Sequence, residues 1–364
     1  MIHVVGGVYW EQCAAPTWDV VLGSGGRAAA CLSTKRETSL HTFISQEMHD
    51  GFDGILRSHD FTFNPIVRDY GYTFRYLSPL ILHELIYEGH PVKDTKIELD
   101  EDNVLAFGMI DCEFSIRANR AVFDPQGGKR TFSSTGSTAN ELVYILNEAE
   151  LQMIARMTNS QDAARNIIVE EKAVAVVVKL GPLGAKIFTR DGKTIEVPAC
   201  LSKTVFKIGS GDIFSASFAY YWIQRQLSLS SAAELASKAT ASYVETKDPY
   251  LPDDKELDRF FSTPIPKDPR RIYLAGPFFS VEQLWLIEQA RRFLRESRIE
   301  VFSPYHDVGL GGDDVAIKDI AGLDNCHSVF GIMNGSDPGT IFEIGYAIAR
   351  GKKSIRLLGT HRPS

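Results

Sequence analysis

The sequence predicts an α/β protein built from two successive domains, each organised on a mostly parallel sheet. Three observations carry this: β-branched runs such as AVAVVVKL (173–180) alternate with helical stretches such as SAAELASKATASYVE (231–245), the seam STPIPKDPRR (262–271) interrupts the alternation, and the strand–helix order restarts after it. Strands buried on both faces read as continuous apolar runs, as parallel sheets require. The three prolines of the seam exclude a helix interior or a central strand there. A chain of 364 residues also exceeds what one hydrophobic core usually supports. The expected organisation is a first domain over 1–262, a linker over 263–271 and a second domain over 272–364.

Composition narrows the class. With 44% hydrophobic and 23% charged residues, the chain reads as a soluble globular protein. No apolar run approaches the roughly 18 residues of a membrane span. The opening MIHVVGG reads as a buried strand entering a glycine turn and lacks a basic leader, so a cytoplasmic protein is expected. Five cysteines (Cys13, Cys31, Cys112, Cys200 and Cys326) are scattered, odd in number and without CxxC spacing, which argues against disulfides and a zinc site. A net charge of −7 argues against a nucleic-acid binder, which needs a basic face.

In the first domain, Gly25 and Gly26 lie in GSGGRAAA, Asn147-Glu-Ala-Glu150 gives NxxE, and Lys179-Leu-Gly181-Pro-Leu-Gly184 runs on from the end of a buried strand. Lys207-Ile-Gly-Ser-Gly-Asp212 then runs from an extended segment into the helix FSASFAYYWIQ. Small residues at a helix start offer N–H groups to an anion, and Asp212 is placed to take a proton from an attacking hydroxyl. The string also suits a capped turn.

In this order and spacing the motifs resemble the PfkB sugar and nucleoside kinases, the ribokinase-like family. The resemblance implies a three-layer α/β/α fold using ATP and Mg²⁺. It makes Asp212 the catalytic base, Gly209, Ser210 and Gly211 the anion hole, and Lys179, Gly181 and Gly184 neighbours of the nucleotide. Asn147 and Glu150 would organise Mg²⁺ through water, without ligating it directly. Glu11, Gly25 and Gly26 fall on the acceptor side. Ile208 stands where the family has Thr, Glu11 where it has Asp, and Ala30 where it has a sugar-binding Asn. Losing that Asn removes a hydrogen bond worth about 1–3 kcal/mol in recognition of a ribose hydroxyl.

The second domain reads in order as strand RIYLAG, helix VEQLWLIEQARRFLRES, strand IEVFSP, a helical stretch, strand SVFGIM, helix TIFEIGYAIARG and strand KSIRLL. Leu284, Ile287, Ala290 and Leu294 mark one apolar helix face. This is a small doubly wound domain, with ligands expected beyond the carboxyl ends of its strands. There lie Tyr273 to Phe279, the segment with Asp319, and DPGTIFEIGYA (337–347). Within the last, Thr340 and Glu343 have the spacing of a capping box, while Glu343 also suits a catalytic carboxylate at a helix start.

Together these stretches resemble the nucleoside 2-deoxyribosyltransferases, whose fold is a flavodoxin- or Rossmann-like parallel α/β domain. The resemblance makes Glu343 the nucleophile toward the sugar C1′, with Tyr273 orienting it, and places Asp319 and Asp337 on the sugar or on the departing base. Gly276 and Pro277 would line the substrate, and no cofactor is implied. Cys326-His327 stands where the family has Cys-Asp.

Read together, the domains imply a bifunctional enzyme acting on nucleosides, nucleotides or pentoses, with neither nucleic acid nor membrane as partner, as a homodimer or higher oligomer. The alternative is an inactive nucleotide sensor or oligomerisation scaffold fused to a glycoside hydrolase.

Overall fold

The computed structural model describes residues 1–79, 84–88, 96–110, 112–263, 271–297, 299–309, 311, 313–333 and 335–357. The linker expected at 263–271 lies outside the described residues except for its two ends. The chain divides into two compact units, Met1–Ile265 and Pro266–Ser364.

The first unit opens with β1 (Ile2–Val5), β2 (Trp10–Cys13), β3 (Trp18–Val21), α1 (Gly23–Ser33), β4 (Thr38–Ser45), α2 (Gln46–Ser58), β5 (Thr62–Arg68), β6 (Gly71–Tyr76) and β7 (Glu84–Glu88). It continues with β8 (Lys96–Phe107), β9 (Glu113–Asp124), β10 (Thr138–Asn147), α3 (Glu148–Ala155), α4 (Ser160–Glu170), β11 (Ala175–Lys179), β12 (Ala185–Thr189) and β13 (Thr194–Val197). Three helices close it: α5 (Ser210–Ala219), α6 (Leu229–Thr246) and the short α7 (Asp254–Leu257).

Among the described residues, the main sheet is nine-stranded in the order β13-β12-β11-β10-β9-β8-β1-β4-β5. It is parallel from β11 to β5, and β12 and β13 are antiparallel. The strand alternation explains the sandwich. Val177 enters the core shared with α1, α5 and α6, whereas Val176 and Val178 enter the core shared with α3 and α4. The layers are therefore α/β/α.

A second, four-stranded sheet, β3-β2-β6-β7, brings β2 beside β6 in parallel. Its strands are short and pair across long stretches of sequence, and they carry no apolar run.

The second unit contains β14 (Arg271–Ala275), α8 (Val281–Glu296), β15 (Glu300–Phe302), α9 (Pro304–Asp307), α10 (Asp313–Asp324), β16 (Ser328–Ile332), α11 (Pro338–Ala349) and β17 (Lys353–Leu357). Its sheet is wholly parallel, ordered β15-β14-β16-β17. Ile287 of α8 packs on one face with Leu274 and Ile332, while Leu323 of α10 and Ile344 of α11 pack on the other with Tyr273 and Val329. The chain leaves β14 toward one edge and β16 toward the other, so the switch point falls between them.

No helix of the described residues is long and apolar enough to cross a membrane. The cysteines are free, and all but Cys200 are buried.

Candidate functional site

In the second unit the switch point gathers carboxyl groups. Tyr273, buried in the middle of β14, donates its hydroxyl proton to Glu343 Oε1 over 2.6 Å. Glu343 lies in the second turn of α11, which starts at Pro338. The helix cap is not the expected Thr340–Glu343 box. Asp337 is the N-cap, its Oδ2 accepting from Thr340 N at 2.8 Å and from Thr340 Oγ1 at 2.9 Å. Pro338 shifts the helix start three residues earlier than a Thr340 cap requires, because proline is pre-organised for the first helical position. Glu343 is thereby released from capping and points to Tyr273.

Burial pushes the Glu343 carboxyl up to about 7; the nearby Asp319 and Asp337 carboxyls push the same way, and the Tyr273 hydrogen bond pulls it down. Burial also raises Asp319, whose Oδ1 is buried and has no hydrogen-bond partner among the described residues. An orphaned acceptor of this kind needs a ligand or a proton of its own. The Tyr273 hydroxyl is raised by burial and by Glu343, so it stays protonated as a donor.

The supporting contacts fix these groups in register. Asp324, near the end of α10, accepts from Tyr346 at 3.2 Å and from Arg350 Nε at 3.2 Å, which ties α10 to α11. His327 replaces the family acid at the opposite, amino edge of the sheet, where its Nδ1 accepts from Arg271 N at 3.2 Å. Gly276 and Pro277 directly follow β14. Gly276 packs beneath the site, since a Cβ there would stand 2.6 Å from Ile287 Cδ1.

In the first unit Asp124, Asn147 and Lys179 each end a parallel strand, so the polar cluster sits at the carboxyl edge of the sheet. The helix expected to begin near Phe214 begins at Ser210, which puts Ser210, Gly211 and Asp212 in its first turn. Gly209 is its cap at φ +75°, and a Cβ there would stand 2.1 Å from Arg27 Nε. Only glycine meets both conditions. Gly25 and Gly26 lie in α1, where a Cβ on Gly25 would stand 2.5 Å from Gly6 O; their observed role is close packing.

Lys179 Nζ donates to Asp124 Oδ2 over 2.6 Å, and Ser215 Oγ donates to the same oxygen over 2.7 Å. Burial opposes the Lys179 charge, but Asp124 and Glu150 outweigh it and hold the ammonium above its ordinary range. Asn147 caps α3 in a capping box: Glu150 Oε2 accepts from Asn147 N at 2.7 Å, and Oε1 accepts from Gly127 N at 2.7 Å. Gly181 opens a 3₁₀ turn (Gly181–Leu183) and Gly184 ends it, one turn beyond Lys179. Among the described residues no group of three His, Cys, Asp or Glu is placed to hold a metal.

Arg27 is the group that sequence reasoning missed. It is 0% exposed, its guanidinium donates to Asp212 Oδ2 at 2.8 Å and to Tyr243 Oη at 3.0 Å, and it is ion-paired to Glu11. Gln126 Nε2 donates to the other Asp212 oxygen at 3.0 Å. Burial pushes the Asp212 carboxyl up to about 6, Arg27 pulls it down, and Asp124 and Glu11 push it up. The available signal was a lone charge, Arg27, inside the small-residue run GGRAAA.

Two family models match the chain: residues 115–256 match the pfkB family of carbohydrate kinases, and residues 272–363 match the nucleoside 2-deoxyribosyltransferases. Among solved structures, a Methanocaldococcus jannaschii nucleoside kinase of the ribokinase family aligns at 14% identity and a TM-score of 0.52, covering 71% of this chain and 98% of its own. Ribokinase from Thermotoga maritima aligns at 13% identity and a TM-score of 0.51, again over 71% and 98%. A pyrophosphate-dependent kinase of the ribokinase family, solved as a sulfate complex, aligns at 15% and 0.50 over 71% and 99%. No curated protein matches the chain significantly. The first unit thus has a ribokinase-like fold, and the chain joins a stretch similar to the pfkB carbohydrate kinases to one similar to the nucleoside 2-deoxyribosyltransferases.

Proposed function

We propose that the second unit cleaves the N-glycosidic bond of a nucleoside or nucleotide, with Glu343 as the nucleophile. The observation that carries this reading is the 2.6 Å Tyr273–Glu343 hydrogen bond at the sheet switch point, near Asp319, whose buried Oδ1 has no hydrogen-bond partner among the described residues. Ionised Glu343 attacks C1′, the C1′–N bond breaks with its electron pair passing to the base, and Asp319 supplies the proton that the base takes up. A glycosyl ester on Glu343 remains. Water then releases the free sugar, or a second base accepts it as a new nucleoside. Tyr273 holds the carboxylate in line and stabilises its charged form. The test is base release from a panel of nucleosides and nucleoside 5′-monophosphates by wild type and Glu343→Gln, with release lost in the variant.

For the first unit the parallel reading is a nucleotide site in which the N–H groups of Gly209, Ser210 and Gly211 and the Lys179 ammonium hold phosphate oxygens. ATP with magnesium is the donor, and Asp212 is the base toward a sugar or nucleoside hydroxyl. A second reading is favoured by the Glu11–Arg27–Asp212 bridge, which occupies the base: a nucleotide-binding sensor or assembly scaffold for the glycosidic site. ATP or pyrophosphate consumption with pentoses and nucleosides separates them. In either case, 1–262 and 272–364 act as distinct domains joined by 263–271, in a cytoplasmic homo-oligomer.

A further inference from the structure

We propose that Arg27 is a built-in occupant of the acceptor pocket, so that the first unit binds a nucleotide but withholds its base from an incoming sugar hydroxyl. The inference rests on the phosphate-binding reading of this unit and adds the residue that silences it. Four observations converge.

Arg27 reaches from α1 to the first turn of α5 and bridges two carboxylates that carry separate duties in the kinase reading: Glu11 on the acceptor side and Asp212 as base. All three are buried, at 5% exposure for Glu11, 0% for Arg27 and 8% for Asp212. The guanidinium is also fixed by the Tyr243 hydroxyl and by Gly23 O, and it lies directly against Gly209 at the cap of α5. A guanidinium held by two carboxylates and two further oxygens has little freedom to swing aside.

One cavity of this unit is lined by neighbouring groups and not by these three. A space of about 450 Å³ opens among residues of β2, β3, β6 and β7, including Gln12, Trp18, Asp19, Arg75 and Tyr76, but Glu11, Arg27 and Asp212 do not line it. Trp18 Nε1, on its wall, donates to Glu11 Oε2 at 3.4 Å. On this proposal the Glu11–Arg27 pair stands between an acceptor in this space and Asp212.

If the plug is removed, ordinary transfer chemistry becomes available. The acceptor oxygen bonds to the γ-phosphorus of a nucleoside triphosphate, the bond from that phosphorus to its bridging oxygen breaks, the electron pair leaves with the diphosphate, and the hydroxyl proton passes to Asp212.

The test uses the full chain as wild type, Arg27→Ala and the double variant Arg27→Ala/Glu11→Gln, which limits the buried carboxylate left unpaired. Arg27→Lys, which keeps the charge but not the fork, is the variant to use if the others lose their fold by circular dichroism. The probes are D-ribose and adenosine, followed by calorimetric titration and by ADP formation with ATP and Mg²⁺. Wild type is expected to give no binding heat with either probe and no ADP above an Asp212→Asn control. The folded Arg27 variants are expected to bind a probe and to form ADP at least about tenfold faster than wild type, with Arg27→Lys intermediate. Wild-type transfer that Asp212→Asn abolishes overturns the proposal, as does a folded Arg27 variant that binds neither probe. Thermal shift with ATP and Mg²⁺ reports separately on the phosphate site. Its absence contradicts the reading on which the proposal rests, while the probe titrations decide the role of Arg27.

Discussion

Glu343 is set by opposed effects: burial, helped by the Asp319 and Asp337 carboxyls, favours its neutral form, the Tyr273 hydroxyl favours its charged form, and the neutral side wins. A nucleophile must be ionised. Base release should therefore rise with pH through a limb centred near 7 and fall about tenfold per unit below it. Tyr273→Phe removes the one listener that prefers the charge, so the limb should move upward by about one unit while the fold is kept. A pH profile of kcat/KM for the two proteins measures this, and an unmoved limb contradicts the orienting role. Glu343 was legible in the sequence because a lone acid stands inside TIFEIGYA, yet its partner was not fixed by spacing. Tyr273 and Glu343 are 70 positions apart, and the packing of α11 against β14 brings them together.

Elements decide how such residues are aimed. In α11, Asp337 has two separable effects: it caps the first turn and adds negative charge beside Glu343. Asp337→Ala should cost about 1 kcal/mol in urea unfolding, whereas Asp337→Asn should keep the cap and most of that stability. Both should lower the Glu343 limb, because each removes a carboxylate that opposes its ionisation. Equal stability loss for the two variants contradicts the capping account. At the head of α5, Gly209→Ala places a methyl group against the Arg27 guanidinium at a positive φ, so it should destabilise by more than about 1 kcal/mol and perturb nucleotide binding. Parallel strands and their helices were readable from apolar runs and helical spacing. The sheet β3-β2-β6-β7 was not, since strands such as WEQC and WDVV carry no strong period and owe their pairing to distant partners.

At the scale of the whole molecule, the chain joins two compact units, each present once per chain. The two-domain plan was legible because the proline seam breaks an otherwise regular alternation. The state of the first site was not, because Arg27 sits within GSGGRAAA as a single charge whose partners, Glu11 and Asp212, are set by the fold and not by spacing. If the first unit senses nucleotide for the second, ATP with Mg²⁺ should change kcat or KM for base release without being consumed. Identical kinetics at zero and saturating ATP contradict the sensor reading and leave the units independent. The central claim remains the glycosidic chemistry of Glu343. Its most direct test is intact-protein mass spectrometry together with chromatography of free base, after wild type and Glu343→Gln are mixed with the panel of nucleosides and 5′-monophosphates. The account predicts base release by wild type, with a glycosyl adduct mapping to Glu343, and a loss of at least about 10³-fold in the folded variant. Equal release by both proteins, or an adduct on another residue, contradicts it.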